Sequence, residues 1–147
     1  MENRNLSLME TGIMMHEVFR VFKKRIAEQK DEEIKLSADQ FGVLHAITTK
    51  EEDVIQKDVA EKMGKDKSAV LRLIDTLEEK GLVRRVNDLK DRRKNYLMVT
   101  KVGYRVKEQY MKIVYEIINE IQQGLTQSEI DTFHKVINHI MRNAVKL

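Results

Sequence analysis

The chain of 147 residues contains no cysteine, no proline and no tryptophan. Without cysteine it forms neither a disulfide nor a thiolate zinc site, a composition typical of a reducing compartment. Without proline, no residue of this type breaks the interior of a helix, which favours a mostly helical fold. Aromatic residues make up only 5% of the chain, so aliphatic side chains and the eight methionines must form its core.

Long apolar runs and familiar catalytic motifs are missing as well. No stretch of about 18 apolar residues predicts a transmembrane helix, and the first residues lack the apolar segment of a signal peptide. No Gly-rich phosphate loop, nucleophile elbow or metalloprotease helix occurs. The four histidines do not have the spacing of a metal site, although histidines and carboxylates from distant segments could still supply one. We therefore expect a cytoplasmic protein that is not an enzyme and binds no membrane, metal or cofactor.

The positive charge of the chain is concentrated in one segment. Charged residues make up 35% of the sequence, and the net charge is +3. Residues 65–94 contain ten basic and six acidic side chains, a net charge of +4, so the rest of the chain carries −1. A basic excess confined to one fifth of a chain is typical of a nucleic-acid-binding surface.

The spacing of apolar residues predicts helices interrupted by one hairpin. The predicted helices cover about residues 6–29, 38–49, 55–63, 66–80 and 101–123, and a last helix follows residue 126. Two strands are predicted around Val83–Val86 and Tyr96–Val99, joined by a polar turn. The predicted N-caps are Ser37, Asp66 and either Thr126 or Ser128. Gly64 and Gly81 are predicted to end helices. The last helix is expected to turn these apolar residues inward: Ile130, Phe133, Val136, Ile137, Ile140 and Met141.

Two short helices joined by a glycine turn, at about residues 55–63 and 66–80, predict a helix-turn-helix. In this motif the second helix enters the DNA major groove and its first turns reach the bases. If Val70, Ile74 and Leu77 are buried, then Lys67, Ser68 and Arg72 lie on the exposed side of that helix. We predict that Arg72 reads a guanine and that Lys67 and Ser68 contact phosphate. The alternative for Arg72 is an ion pair with Asp75 or Glu79 on its own helix.

The turn of the hairpin carries a run of charged residues, Asp91, Arg92, Arg93 and Lys94. Three consecutive cations on a projecting turn suit phosphate contact or insertion into a minor groove. Asp91 is interpreted as a partner that orients an arginine. The alternative is an ordinary solvated turn, but its position directly after a helix-turn-helix favours DNA binding.

These residues together resemble the MarR family (multiple antibiotic resistance regulators). The resemblance depends on five segments: Gln56–Met63, Ser68–Val70, Leu77–Val83, Asp91–Arg93 and the series Leu97, Thr100 and Gly103. It covers about residues 55–103, and the flanking helices match only in length and order. The chain departs from the family pattern at Ile55, where a capping Thr is common, at Leu71, where Ser or Thr is common, and at the wing tip, which lacks proline.

The resemblance implies a mainly α fold with a small β-hairpin wing. It implies one domain over residues 1–147, with dimerisation helices at about 1–36 and 104–147 and a winged helix-turn-helix at about 37–103. It assigns base reading to Arg72, minor-groove insertion to Arg93 and orientation of that arginine to Asp91. It also implies that a small aromatic ligand binds between the dimerisation and DNA-binding parts and changes the affinity for DNA.

Surplus apolar faces on the first and the 101–123 helices independently favour a homodimer, since such faces mark association surfaces. The alternative is a monomer whose terminal helices cover each other. We expect a homodimeric repressor that binds double-stranded DNA at a palindromic operator and is released by a small ligand. The alternative function is a helical protein-interaction module that keeps this fold without specific DNA binding.

Overall fold

The computed structural model describes residues 2–29, 36–50, 53–88 and 95–145. It contains two compact units, residues 1–115 and 116–147. The elements run in the order α1 (Glu2–Gln29), α2 (Ala38–Thr48), α3 (Gln56–Met63), α4 (Lys67–Glu79), β1 (Val83–Asn87), β2 (Asn95–Val99), α5 (Lys101–Ile121) and α6 (Gln127–Ala144). This order confirms the predicted mainly α fold with one hairpin. No helix among the described residues is long and apolar enough to cross a membrane.

The first helix, α1, begins at Glu2, several residues before the predicted start. Its apolar side chains are largely outside the core of the chain. Met14 is 67% exposed and Val18 is 62% exposed, whereas Ile26 is buried. Periodicity therefore located the helix correctly, but a single chain covers little of its apolar face.

Helices α2, α3 and α4 surround the core of the first unit. Their fully buried side chains are Val43, Leu44, Val59, Val70, Ile74 and Leu77.

Helix α2 begins with a cap formed by adjacent residues. The Ser37 hydroxyl accepts a hydrogen bond from the Gln40 backbone N–H at 3.1 Å, and the Gln40 side chain accepts one from the Ser37 backbone N–H at 3.0 Å. This reciprocal pair is a capping box, which satisfies two free N–H groups.

Helix α3 ends at Gly64, which has a φ of 60°. Glycine is favoured there because a side chain makes this left-handed conformation costly. The turn leads directly into Asp66, whose carboxylate accepts a hydrogen bond from the Ala69 N–H at 2.9 Å and caps α4. The predicted glycine end and the predicted aspartate cap are both confirmed.

Strands β1 and β2 form an antiparallel pair in which Arg85 lies opposite Leu97. The hairpin is attached to the rest of the unit through its backbone as well as its side chains. The Leu97 N–H donates to the Val54 carbonyl at 2.8 Å, just before α3. Val83 and Leu97 are buried, so this face of the hairpin joins the core.

The junction between the hairpin and α5 depends on Thr100 and Gly103. The Thr100 hydroxyl donates to the Gly81 carbonyl at 2.7 Å and accepts from the Gly103 N–H at 3.0 Å, while the Thr100 N–H donates to the Leu82 carbonyl at 3.0 Å. A Cβ added to Gly103 would lie 2.1 Å from the Leu82 carbonyl oxygen. Only glycine permits this close approach of α5 to the Leu82 backbone, which lies between α4 and β1.

The second unit contains the end of α5 and all of α6. Thr126 caps α6, because its hydroxyl accepts from the Glu129 N–H at 3.3 Å and its own N–H donates to the Glu129 carboxylate. The prediction that the apolar residues of α6 point inward is wrong for the single chain. Phe133 is 56% exposed, Val136 and Met141 are also exposed, and α6 has no buried residue. An apolar stripe shows which face avoids water and does not show what covers it.

Candidate nucleic-acid interface

The start of α4 is held in place by contacts from two directions. The Asp66 carboxylate caps its first turn, and the Gln56 side-chain amide of α3 donates to the Lys67 carbonyl at 2.9 Å.

Ile55, at the start of α3, has no side chain that can cap. Instead, the Asp58 carboxylate accepts a hydrogen bond from the Ile55 N–H at 2.9 Å, so this N–H is satisfied although Ile55 cannot cap the helix.

The sequence-predicted residues of α4 are all exposed at its N-terminal half. Lys67, Ser68 and Arg72 have exposed side chains, and the neighbouring Leu71 is 40% exposed. The opposite stripe of α4 is fully buried at Val70, Ile74 and Leu77. Leu71 therefore does not pack away into the core, and the surface offers two cations, a hydroxyl and one apolar side chain.

The carboxylates farther along α4 are engaged by the hairpin. The Arg85 guanidinium of β1 donates to the Asp75 carboxylate at 2.5 Å and to the Glu78 carboxylate, and the Arg85 backbone N–H donates to Glu78 at 3.2 Å. Partial burial of Arg85 opposes its charge, but its hydrogen bond to Asp75 and the charges of Glu78 and Asp75 together raise its pKa. The charge of Arg85 thus offsets part of the negative charge at this end of α4, which reduces repulsion of an anionic partner.

No carboxylate within the described ranges pairs with Arg72. The sequence alternative for this residue was an ion pair with Asp75 or Glu79, but Asp75 is bonded to Arg85. The Arg72 backbone carbonyl accepts a hydrogen bond from the Thr76 hydroxyl at 2.9 Å, and the Arg72 guanidinium has no hydrogen-bond partner among the described residues. Its five N–H donors remain available to a ligand outside the chain.

Ion pairs between elements fix the two short helices against their neighbours. Lys65 pairs with Asp39 of α2 at 3.3 Å, and Lys50 pairs with Asp58 of α3 at 2.9 Å. The hydrogen bond from the Ile55 N–H and the interactions with Lys50 lower the pKa of Asp58. Each such pair is partly exposed and worth little alone. Together they restrict the position of the helix that presents Arg72.

The predicted wing-tip residues Asp91, Arg92, Arg93 and Lys94 lie outside the described residues. The base of the wing is described: the Tyr96 hydroxyl of β2 donates to the Asp88 carboxylate, just after β1, at 2.6 Å. Arg84 is exposed on β1, and its guanidinium contacts the Met98 sulfur across the hairpin at 4.0 Å. The described wing therefore carries one buried-facing arginine, Arg85, and one solvent-facing arginine, Arg84.

A cavity of about 510 Å³ lies where α2 faces α5. Its lining combines aromatic, cationic and apolar side chains: His45, Tyr104, Lys107, Glu108, Met111, Lys112 and Tyr115. The Lys107 ammonium donates to the Thr48 hydroxyl at the end of α2, at 2.6 Å. Partial burial, followed by the charges of Lys107 and Lys62, lowers the pKa of His45. The volume falls in the range of small-molecule sites.

Aromatic stacking connects the wall of this cavity to the core. Phe41 stacks on Tyr110 with ring centroids 4.2 Å apart and an interplanar angle of 12°, and it also stacks on His45 at 6.0 Å. Tyr110 is buried, and its burial raises the pKa of its phenol. The part of α2 that borders the cavity is therefore packed against the core through Phe41.

Comparison with known proteins agrees with this geometry. Residues 34–94, from just before α2 to the end of the wing turn, match the model of the MarR family. This segment of the chain is therefore similar to the winged helix-turn-helix of the MarR family. No curated protein sequence gives a significant match.

Solved structures of MarR-family transcriptional regulators have the same fold over nearly the whole chain. One from Rhodococcus sp. RHA1 is 24% identical, with a TM-score of 0.77 over 89% of this chain and 91% of its own. CouR from Rhodococcus jostii RHA1, solved with p-coumaroyl-CoA, is 25% identical, with a TM-score of 0.76 over 88% and 90%. BpsR from Bordetella bronchiseptica, whose DNA binding is regulated by 6-hydroxynicotinic acid, is 21% identical, with a TM-score of 0.76 over 90% and 98%.

Within the MarR-type fold, sequence reasoning found the exposed residues of α4 and missed their support. Arg85 falls within a predicted strand, and its position two residues after the apolar Val83, on the same face of that strand, is a signal that it faces another element. The interhelical bond from Gln56 to Lys67 was also missed, because neither residue type predicts a partner eleven positions away. Most of the cavity residues on α5 were also missed, because they lie beside the apolar stripe from which that helix was predicted.

Proposed function

We propose that this chain is a homodimeric, sequence-specific DNA-binding transcription repressor that recognises a palindromic operator. The observation that carries the proposal is the exposed N-terminal half of α4, where Lys67, Ser68 and Arg72 face solvent while two acids of the same helix, Asp75 and Glu78, are bonded to Arg85. A planar guanidinium at this point of a recognition helix suits the O6 and N7 atoms of guanine. The DNA-binding part is proposed to span about residues 37–103.

The exposed apolar helices support the homodimer. The apolar faces of α1 and α6 are exposed in one chain, and an exposed apolar surface of this kind marks an association site. A two-fold dimer in turn predicts the palindromic operator, because two recognition helices then meet successive major grooves about one DNA turn apart. The wing tip, with Arg92, Arg93 and Lys94 beside Asp91, is proposed to contact the flanking backbone and minor groove.

A binding selection tests the DNA-binding proposal. The purified chain is mixed with fragmented genomic DNA at physiological salt, and the retained fragments are sequenced. We expect an enriched palindrome. Retention of all fragments alike would contradict sequence specificity, and absence of retention by ligand-free protein would favour the protein-interaction module instead.

The role of Arg72 has its own test on the selected operator. Replacing Arg72 with Ala should cost about 1–3 kcal/mol of discrimination and relax the preference at one base position in each half-site. Arg93→Ala should instead weaken binding to all sequences, and the slope of log affinity against log salt should become shallower by about 0.9 for each phosphate that is no longer neutralised. An equal loss on every sequence for Arg72→Ala would show that it does not read a base.

We further propose that the cavity between α2 and α5 binds a small aromatic anion that lowers the affinity for DNA. Tyr104 and Tyr115 offer flat apolar surfaces, and Lys107 and Lys112 offer positive charge beside them. CouR and BpsR, which have this fold, are associated with p-coumaroyl-CoA and 6-hydroxynicotinic acid. Benzoate and its neutral isostere benzamide test the requirement for charge.

Benzoate should raise the melting temperature of the wild-type chain and weaken its binding to the operator, and benzamide should do neither. Lys112→Gln should reduce the benzoate effect, because it removes one cation of the cavity without touching the Lys107–Thr48 hydrogen bond. Lys57→Gln, an exposed lysine on α3 paired with Glu61, is the matched control. Equal responses to benzoate and benzamide would contradict an anion site.

A further inference from the structure

The contact between β1 and α4 joins one arginine to two acids of the recognition helix. Arg85 reaches Asp75 and Glu78 with separate nitrogens of its guanidinium, and its backbone N–H also donates to Glu78. The Arg85 side chain is 27% exposed, whereas Asp75 is 49% exposed. Two bonds to Glu78 fix Arg85, so that its remaining branch is directed at Asp75.

Asp75 has a second potential partner on its own helix. It follows Arg72 by three residues, and side chains at this spacing are neighbours on a helix surface and form ion pairs. Among the described residues, however, Arg72 has no acidic partner, and Asp75 is bonded to Arg85 at 2.5 Å. The two arginines therefore compete for one carboxylate, and the arginine of the hairpin holds it.

We propose that Arg85 is a positioning residue for DNA recognition, which keeps the Arg72 guanidinium free to reach a base by holding the Asp75 carboxylate. This inference rests on the proposed function of Arg72 as a base reader. The specificity of the recognition helix then depends on a residue of the wing that touches no DNA itself.

The test replaces Arg85 with Gln, which releases Asp75 to pair with Arg72. We expect the preference at the base read by Arg72 to fall by about tenfold or more, the same effect that is predicted for Arg72→Ala. Arg84→Gln is the matched control, because it removes the same charge from the adjacent position of β1, and the Arg84 side chain bonds the Met98 sulfur and no carboxylate in the part of the chain that the structure describes. Equal operator preference in Arg85→Gln and Arg84→Gln would overturn the proposal.

A second substitution separates this role from a merely structural one. Adding Asp75→Asn to Arg85→Gln removes the competing carboxylate, so the base preference should return to within about threefold of wild type. If Arg85 served only to attach the wing, the added substitution would remove one more contact and recover nothing, and that result would overturn the proposal. Thermal unfolding of each variant checks that the fold is kept.

If Arg85→Gln does not fold, Arg85→Lys takes its place in the same test. A single ammonium cannot hold Asp75 and Glu78 with the same fork. The preference should therefore fall by at least about threefold and return when Asp75→Asn is added; no return overturns the proposal. Failure of the wild-type chain to select any sequence would overturn the proposed function and this inference together. If the wild-type chain selects a sequence but Arg85→Gln and Arg84→Gln have the same base preference, this inference alone is overturned.

Discussion

Replacing Gly103 with Ala should destabilise the chain far more than one methyl group suggests. The added Cβ would lie 2.1 Å from the Leu82 carbonyl oxygen, 2.8 Å from Val99 Cγ1 and 3.0 Å from the Leu82 carbonyl carbon. Two of these three atoms belong to the backbone, so no rotation of a side chain relieves the clash. The start of α5 must move away from the end of α4 instead.

That movement has a further cost, because the same junction is held by hydrogen bonds. The Thr100 N–H donates to the Leu82 carbonyl, and the Thr100 hydroxyl bonds Gly81 and Gly103. Overpacking typically costs about 1–3 kcal/mol, and a backbone clash belongs at the upper end of that range. A loss of about 3 kcal/mol lowers the melting temperature by about 6–12 °C for a protein of this size.

Scanning calorimetry at one fixed protein concentration measures the effect, since the stability of an oligomer depends on concentration. Gly12→Ala is the matched control, because Gly12 also lies within a helix and its added Cβ has nothing within 4 Å. Alanine is the better helix former by about 1 kcal/mol, so the control should melt at a slightly higher temperature. A Gly103→Ala variant that melts within about 2 °C of wild type would refute the reasoning.

Three further outcomes are expected. Asp66→Ala should lose about 1 kcal/mol of unfolding free energy, because it removes the cap of α4, while Asp66→Asn should retain most of it. The lowered pKa of His45 means that the unfolded chain takes up a proton first, so stability falls as pH drops below about 6.5. His45→Gln should reduce the loss of melting temperature between pH 8 and pH 5, and an unchanged loss, matching that of His139→Gln, would contradict this. Phe133→Glu should dissociate the proposed dimer in sedimentation velocity, whereas Lys135→Glu on the far side of α6 should not.

The local parts of the fold could be predicted from sequence because their causes lie within a few residues. Ser37, Asp66 and Thr126 cap the helices that follow them, and Gly64 ends α3, since each effect depends on adjacent backbone groups. The exposed position of Arg72 followed in the same way from the buried stripe of α4.

The long-range parts could not be predicted. The bond between Arg85 and Asp75 joins a strand to a helix ten residues away, and a chain with this many charged residues allows many such pairings. The outward position of Phe133 was missed for a different reason. An apolar stripe has the same period whether its cover is another helix of the chain or a second copy.

The hairpin is fastened at two points, by the Leu97–Val54 backbone bond before α3 and by the Arg85 fork on α4. A hairpin attached at two points cannot rotate about either one alone, so the base of the wing moves together with both helices of the helix-turn-helix. Each half of a dimer would then bind DNA as one rigid unit. A signal that weakens DNA binding would have to change the distance between the two recognition helices, so that they no longer match the spacing of the two major grooves.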